Sequence, residues 1–290
     1  MSDKILVTGS NGQLGSELKE LTSSFDQYEF IFTDVEELSI IDHAAVEKVF
    51  MEERPSYLVN CAAYTAVDKA ETEKEIAENI NGMAVGILAA ACKRHGTRFL
   101  HVSTDYVFNG NASHPLKETE EVDPVNVYGA TKLSGEQLAI QNDPETIIIR
   151  TSWVYSFYGK NFVKTMIRLM NEKESIGVVS DQVGSPTYAA DLALAIMQII
   201  SSRKWVSGVY NYSNDGTISW FDFATEIKRL INSSCIINPL TTEQFPTPAK
   251  RPKFSVLDKT KIQRTFAIPI NDWKESLKVC IDKLKSSDEA

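Results

Sequence analysis

"ILVTGSNGQLGSEL", residues Ile5 to Leu18, decides what kind of fold this chain can build. A short run of β-branched and apolar residues meets Gly9, Gly12 and Gly15, and a helical pattern follows at once. Glycine reaches backbone angles closed to other residues and leaves room for another main chain or a phosphate. The N–H groups at a helix N-terminus favour negative charge, so a strand, a glycine turn and a helix in this order suit a pyrophosphate. The spacing is G-x-x-G-x-x-G, where G-x-G-x-x-G is commoner. The next apolar run, Phe30 to Thr33, ends at Asp34, nineteen positions beyond Gly15. A carboxylate about 20 residues on is placed to bind an adenosine ribose. It favours a free 2′-hydroxyl, and no arginine stands beside it, so NADH is expected to serve at least as well as NADPH.

Outward from this unit, apolar runs alternate with helix-length amphipathic stretches. Tyr57–Cys61, Phe99–Val102 and Thr146–Ile149 read as further buried strands. Gln13–Leu21, Ala44–Glu53, Glu73–His95 and Val127–Ile140 read as helices between them. Such alternation predicts an α/β fold, a Rossmann-type doubly wound parallel sheet covered on both faces. Beyond Arg150 the pattern loosens. Helices are expected at Asn161–Asn171, Ala189–Ser202, Ser219–Ile231 and Asp272–Lys285, with short strands at Ile176–Val179 and Val209–Tyr212. This predicts a dinucleotide-binding domain over residues 1–152, to which later segments return, and a smaller α/β substrate domain over most of 153–290.

With 290 residues, 43% of them hydrophobic, the chain can bury a large core. A net charge of −9 argues against a nucleic-acid partner, and no apolar run reaches the length of a membrane span. The N-terminus runs directly into the first strand and carries no cleavable leader pattern, so a cytoplasmic location is expected. Cys61, Cys92, Cys235 and Cys280 stand too far apart for metal or redox pairs, and His43, His95, His101 and His114 lack ligand spacing. A histidine-based catalytic metal site is therefore not expected.

"NVYGATKLSGE", Asn126 to Glu136, places Tyr128 and Lys132 four apart, on one face of a helix. A free phenol titrates near pH 10, and a neighbouring ammonium stabilises the phenolate and brings that value down. The phenol can then protonate a carbonyl oxygen as hydride reaches the carbon. "VSTDYVF", Val102 to Phe108, adds Thr104 and Asp105 at a strand's C-terminal end, where open α/β sheets bind ligands.

Together these marks resemble the extended short-chain dehydrogenase/reductase superfamily. Within it the chain resembles the dTDP-4-dehydrorhamnose reductase family over nearly its whole length. The likeness rests on "NCAAYTAVDKAE" (Asn60–Glu71), "STDYVFNG" (Ser103–Gly110), "NVYGATKLSGE", "RTSWVY" (Arg150–Tyr155), "NFVKTMIRL" (Asn161–Leu169), "DQVGSPTY" (Asp181–Tyr188) and "PTPAKRP" (Pro246–Pro252). The resemblance implies reduction of the C4 keto group of a dTDP-4-dehydro sugar by NADPH or NADH. It makes Tyr128 the proton donor, Lys132 its tuner and a ribose ligand, and Thr104 a hydrogen-bonding partner of the transferred proton. Cofactor contacts would come from Gly9, Asn11, Gly12, Gln13, Leu14, Gly15, Asp34, Ser39, Ile40, Ala62, Ala63, Tyr64, Thr65 and Val102, with Tyr128 and Lys132. The sugar nucleotide would meet Thr104, Asp105, Tyr128, Trp153, Asn161, Gln182 and Arg251. Lys250, Arg251 and Lys253 supply cations for its diphosphate.

Two positions depart from the family pattern. Ser39–Ile40 stands where many members carry an acid and an apolar residue. Some relatives dimerise through Mg2+ held by carboxylates; Glu17 matches one such position, but Ala190 replaces another acid. The expected state is a monomer or a homodimer without that bridge. A dehydratase would need a glutamate where Tyr106 stands. Another epimerase or reductase of nucleotide sugars, and a non-catalytic NADP-binding subunit of methionine adenosyltransferase, are the alternatives.

Overall fold

The computed structural model describes residues 2–288. The first half runs β1 (Asp3–Thr8), α1 (Gln13–Glu20), β2 (Tyr28–Thr33), α2 (His43–Glu53), β3 (Tyr57–Asn60), α3 (Val67–Ala70), α4 (Lys74–Glu78), α5 (Ala84–His95), β4 (Arg98–Thr104), α6 (Val127–Asn142) and β5 (Ile147–Thr151). Shorter elements follow: β6 (Val154–Tyr155), α7 (Phe162–Glu172), β7 (Ser175–Val179), β8 (Val183–Gly184), β9 (Thr187–Tyr188), α8 (Ala189–Ser201), β10 (Gly208–Asn211), β11 (Ile218–Ser219), α9 (Trp220–Ile231), β12 (Ile236–Leu240), α10 (Thr260–Phe266) and α11 (Trp273–Asp288).

Among the described residues, six strands form one sheet in the order β2-β1-β3-β4-β5-β10, every neighbouring pair parallel. β3 and β5 are buried along their full length, the mark of strands covered on both faces. Winding reverses between β1 and β3, and ligands of open α/β sheets bind at such a switch point. Register brings the strand ends level. Thr8 pairs with Thr33 on one side and Asn60 on the other, and Thr104 pairs with Thr151. Gly9, Asp34, Cys61 and Asp105 therefore leave the sheet along one edge.

Helices cover both faces. Val46, Phe50, Leu88, Ala89 and Ala139 pack one face, while Leu14, Leu18, Leu192, Ile196 and Ile200 pack the other. α8 thus returns to the sheet from beyond residue 152, as does β10. A third core, built on Tyr155, Met166, Phe223, Trp273 and Leu277, lies in the second half. Several features depart from the sequence expectation, since α3, α10 and the two-residue strands β6, β8 and β9 lie where no element was expected, and two further differences are informative. The helix expected over Glu73–His95 contains a π turn at Asn79–Met83, where Asn81 is buried and bonds to backbone outside the helix. β12 was not anticipated because "IINPL" carries Asn238 and Pro239; it pairs only with β7, and proline is tolerated on an edge strand.

α6 is bolted to the sheet by a buried ion pair. Arg150 on β5 donates to Glu136 through Nε at 2.9 Å and through its terminal nitrogen at 2.7 Å, and Ser103 on β4 donates to the same carboxylate at 2.5 Å. Removing one partner of such a pair strands the other charge away from water. Arg150→Ala is expected to cost about 3–5 kcal/mol in urea unfolding. A cost near zero would mean that Glu136 does not need its cation.

Candidate active site

The glycine turn makes the first wall. Gly9 sits at φ 66°, and a Cβ there would lie 2.6 Å from the main chain of Ala62. Only glycine lets the loop after β1 and the loop after β3 approach this closely. α1 then begins at Gly12 with no side-chain cap and no acid in its first turn, leaving its N–H groups for an anion. Asp34 accepts the Asn11 N–H at 2.8 Å and the Val35 N–H at 2.8 Å, which fixes its carboxylate beside the turn. Lys19, which motif spacing did not single out, donates to Asn11 Oδ1 at 3.0 Å.

The loop carrying Ala62, Ala63, Tyr64 and Thr65 is held from behind. Asn60 Oδ1 accepts the Ala62 N–H at 3.1 Å, and Asn81 clamps Tyr64 through both its N–H and its carbonyl. Asn81 also donates to Thr131 on α6 at 3.2 Å, so the π turn ties the loop to the tyrosine helix. The side chain of Tyr64 bonds Glu73. Ser39 is partly exposed, whereas the Ile40 side chain is buried in the core with Leu38, Val46 and Phe50. These residues fit a dinucleotide: an uncapped helix start, a turn that any Cβ would fill, and an acid held beside it.

The second wall is α6. Asn126 caps it by accepting the Gly129 N–H at 2.8 Å. A Cβ on Gly129 would lie 2.2 Å from the Tyr106 carbonyl, so glycine lets the helix start press against the turn after β4. Tyr128 is half-buried with its ring edge-on to Tyr106, centroids 5.7 Å apart. Thr104 donates to Asp105 Oδ1 at 3.1 Å and accepts the Tyr106 N–H at 3.2 Å. Burial pushes the Tyr128 phenol up to about 12; a Thr104 hydrogen bond works against that and the Asp105 charge adds to it. The single hydroxyl proton of Thr104 thus has two claimants, the phenol oxygen and Asp105. Asp105 is buried, its Oδ2 has no hydrogen-bond partner, and desolvation raises its carboxyl to about 7.

Lys132 differs from the expected tuner of Tyr128. Its side chain is only 2% exposed, and its Nζ donates to the Val102 carbonyl at 2.6 Å and meets His101 Nε2 at 3.2 Å. Burial lowers the amine to about 8, with Glu136 and Cys61 acting the other way. The phenol and the amine share a helix face, but in this structure the amine is engaged by β4.

The outer residues divide. Trp153 adopts φ 47° and stacks on Trp220 with centroids 3.6 Å apart. Asn161 caps α7 and donates to Gln13 Oε1 at 3.0 Å, which places it at the glycine turn and leaves its amide committed. Gln182 is buried and donates to Thr242. Arg251 forks onto Asp68 at 3.0 and 2.8 Å, so the loop around Pro252 is latched to the segment after β3. Lys250 and Lys253 stay exposed. Glu17 is buried and its carboxylate accepts from Ser156 at 2.6 Å, and Ala190, where another acid is expected, carries no ligand atom.

Known proteins share this arrangement along the whole chain. The family described as RmlD substrate binding domain matches residues 3–286. A dTDP-4-dehydrorhamnose reductase of Aggregatibacter actinomycetemcomitans is 41% identical, covering 95% of this chain and 97% of that protein. The crystal structure of a dTDP-4-dehydrorhamnose reductase from Clostridium acetobutylicum superposes with a TM-score of 0.94 at 44% identity, over 97% of this chain and 99% of that one. The Bacillus anthracis enzyme, solved in complex with NADP, gives 0.94 at 39% identity, over 98% and 100%. On full-length similarity in both sequence and structure, this chain belongs to the dTDP-4-dehydrorhamnose reductase family.

Proposed function

We propose that this chain reduces the C4 keto group of dTDP-4-dehydro-β-L-rhamnose to dTDP-β-L-rhamnose with NAD(P)H, Tyr128 delivering the proton. One observation carries the residue assignment: Thr104, Asp105 and Tyr128 converge at the end of β4, on the sheet edge that holds the glycine turn and Asp34. The bound nicotinamide supplies hydride to the carbonyl carbon. Tyr128 gives its phenolic proton to the carbonyl oxygen. Thr104 hydrogen-bonds the phenol oxygen and steadies the phenolate left behind. Lys132, as an ammonium, would hold the nicotinamide ribose and lower the phenol. Asp34 would take the adenosine ribose, and the start of α1 the pyrophosphate.

For the sugar nucleotide, Asp105 would offer its buried, unpartnered carboxylate oxygen to a hydroxyl once the cleft opens to it, and Trp153, stacked on Trp220, would line the sugar. Arg251 can serve the diphosphate only by exchanging Asp68 for it; Lys250 and Lys253 are exposed cations nearby in sequence. Residues 1–152 with the returning segments would hold the dinucleotide, and most of 153–290 the substrate. The working unit is a monomer or a homodimer without a bridging metal. No described helix is long and apolar enough to cross a membrane, in keeping with a cytoplasmic enzyme.

Oxidation of NADPH and NADH should be followed with dTDP-4-dehydrorhamnose, and the sugar product identified. Tyr128→Phe is expected to keep dinucleotide affinity and to lose kcat by about 10²-fold or more. Turnover close to wild type would assign the proton to another group. Asp105 gives a second test. A buried carboxyl raised to about 7 binds more protons folded than unfolded, so its contribution to stability falls as pH rises from about 4 to 7. Asp105→Asn should therefore raise the free energy of unfolding at pH 8 by on the order of 2–4 kcal/mol, with the gain fading toward pH 4. Its KM for the sugar nucleotide should rise as well. An equal gain at both pH values would trace the effect to something other than the charge.

A further inference from the structure

Behind the tyrosine helix, a chain of buried polar side chains crosses the sheet without touching the proposed substrate groups. Thr8 on β1, Asn60 on β3 and His101 on β4 are 1%, 0% and 0% exposed. Thr8 Oγ1 donates to Asn60 Oδ1 at 2.7 Å, and the Ala62 N–H donates to the same oxygen at 3.1 Å. Asn60 Nδ2 lies 3.0 Å from His101 Nδ1, and His101 Nε2 lies 3.2 Å from Lys132 Nζ.

The donors and acceptors permit one assignment. A peptide N–H can only donate, so the Ala62 contact identifies which end of the Asn60 amide is oxygen. The other end is an NH2 and can only donate, so it needs a bare Nδ1 on His101. Burial holds His101 well below its usual range, so the ring is neutral, and with Nδ1 bare it carries its proton on Nε2. That N–H points at Lys132. An ammonium has no acceptor to offer it, whereas a neutral amine has one lone pair and still donates to the Val102 carbonyl at 2.6 Å.

We propose that His101, set as its Nε2–H tautomer by Asn60, is a positioning residue that favours the neutral amine of Lys132 in the cofactor-free enzyme, so that at basic pH Lys132 takes up a proton when the dinucleotide binds. The proton comes from solvent, and His101 exchanges none. Once charged, the amine has no lone pair for Nε2–H; it keeps the Val102 carbonyl as an acceptor and is free to donate its remaining protons toward the cleft. The inference rests on the reading that Lys132 meets the ribose as an ammonium.

The other groups facing Lys132 do not supply this selection. Cys61, from the loop after β3, is pushed up to about 12 by burial and stays a neutral thiol. Glu136, one turn along α6, favours the ammonium but is already paired with Arg150. Tyr128, one turn back, is a neutral phenol pushed up to about 12. On β4 only His101 and the Val102 carbonyl contact Nζ.

Ring-nitrogen 15N NMR of the wild-type protein at pH 7 tests the tautomer directly. With the measurement repeated at pH 9, where the amine is neutral, the result expected is a pyridine-type Nδ1 and a pyrrole-type Nε2 for His101; the reverse pattern at pH 9 overturns the proposal. NADPH titration calorimetry at pH 8.5, in buffers of different ionisation enthalpy, should show net proton uptake. Asn60→Asp keeps an oxygen for Thr8 and Ala62 but turns His101 round, baring Nε2 toward Lys132. His101→Gln offers a carboxamide oxygen to the ammonium. In both variants proton uptake should fall by about half or more, and the basic limb of kcat/KM for NADPH should move up by about one pH unit. A merely structural role would lower rates at every pH and leave that limb in place, and this outcome in either folded variant also overturns the proposal. The NMR pattern needs neither cofactor nor turnover, so its failure is separate from failure of the proton-donor reading, which Tyr128→Phe decides.

Discussion

The buried pairing of Glu136 with Arg150 sets where everything on α6 can be. Tyr128, Lys132 and Glu136 follow at intervals of four and form one stripe down the helix. The deep end of the stripe is gripped by Arg150 from β5 and Ser103 from β4, and the shallow end opens at the cleft. An ion pair in this setting is not there for net stability, because the desolvation of two charges offsets most of their attraction. What it supplies is register. Arg150 has a planar fork and Glu136 two oxygens, and the bidentate fit tolerates little sliding or rotation of the helix. The phenol is thereby located relative to Thr104, which lies one residue beyond Ser103 on the same strand.

The second constraint is close approach of main chains on the other side of the site. The loop after β1 touches the loop after β3, and the start of α6 touches the turn after β4. Neither contact carries much energy by itself. Both hold backbone segments where side chains or a phosphate can be reached by N–H groups, and Asn60 and Asn81 then lock the middle loop from behind. Buried amides do this well, since each satisfies a donor and an acceptor at once and leaves no polar atom stranded. The site is therefore framed by polar groups within the core more than by the surface loops around it.

Much of this was legible in the sequence, and the limits are instructive. Glycines at fixed intervals after an apolar run, an acid at the next strand end and a Tyr–Lys pair at helical spacing are local signals, and each landed on the expected element. Asn60, Asn81, His101, Glu136 and Arg150 went unread, because a single polar residue in an apolar run says nothing about what it will face. Partnerships across long separations were equally hidden. Arg251 was read as a phosphate ligand from its basic neighbours, yet its fork lies on Asp68, far away in the chain. Asn161 and Gln182 carry the right chemistry for a pocket, and spacing gave no sign that Asn161 caps α7 or that Gln182 donates to Thr242. Spacing predicts which face a side chain takes; it does not predict who is waiting there.

The residues around the cleft also concentrate cost. Trp153 holds left-handed backbone angles, a penalty of roughly 1–2 kcal/mol for a residue with a side chain, and its stacking on Trp220 returns about 0.5–1.5 kcal/mol. Asp105 leaves one oxygen unpartnered beneath the surface, and Lys132 is an amine enclosed where an ammonium is disfavoured. Elsewhere the sheet faces are packed by aliphatic side chains, although Arg150 Nη1 and Asn211 Oδ1 are also buried without a partner. Such outliers persist only where the surrounding structure over-determines them, and they gather at sites that must be ready for a ligand before it arrives. The two tightly packed faces of the sheet are what allow its C-terminal edge to remain under-satisfied.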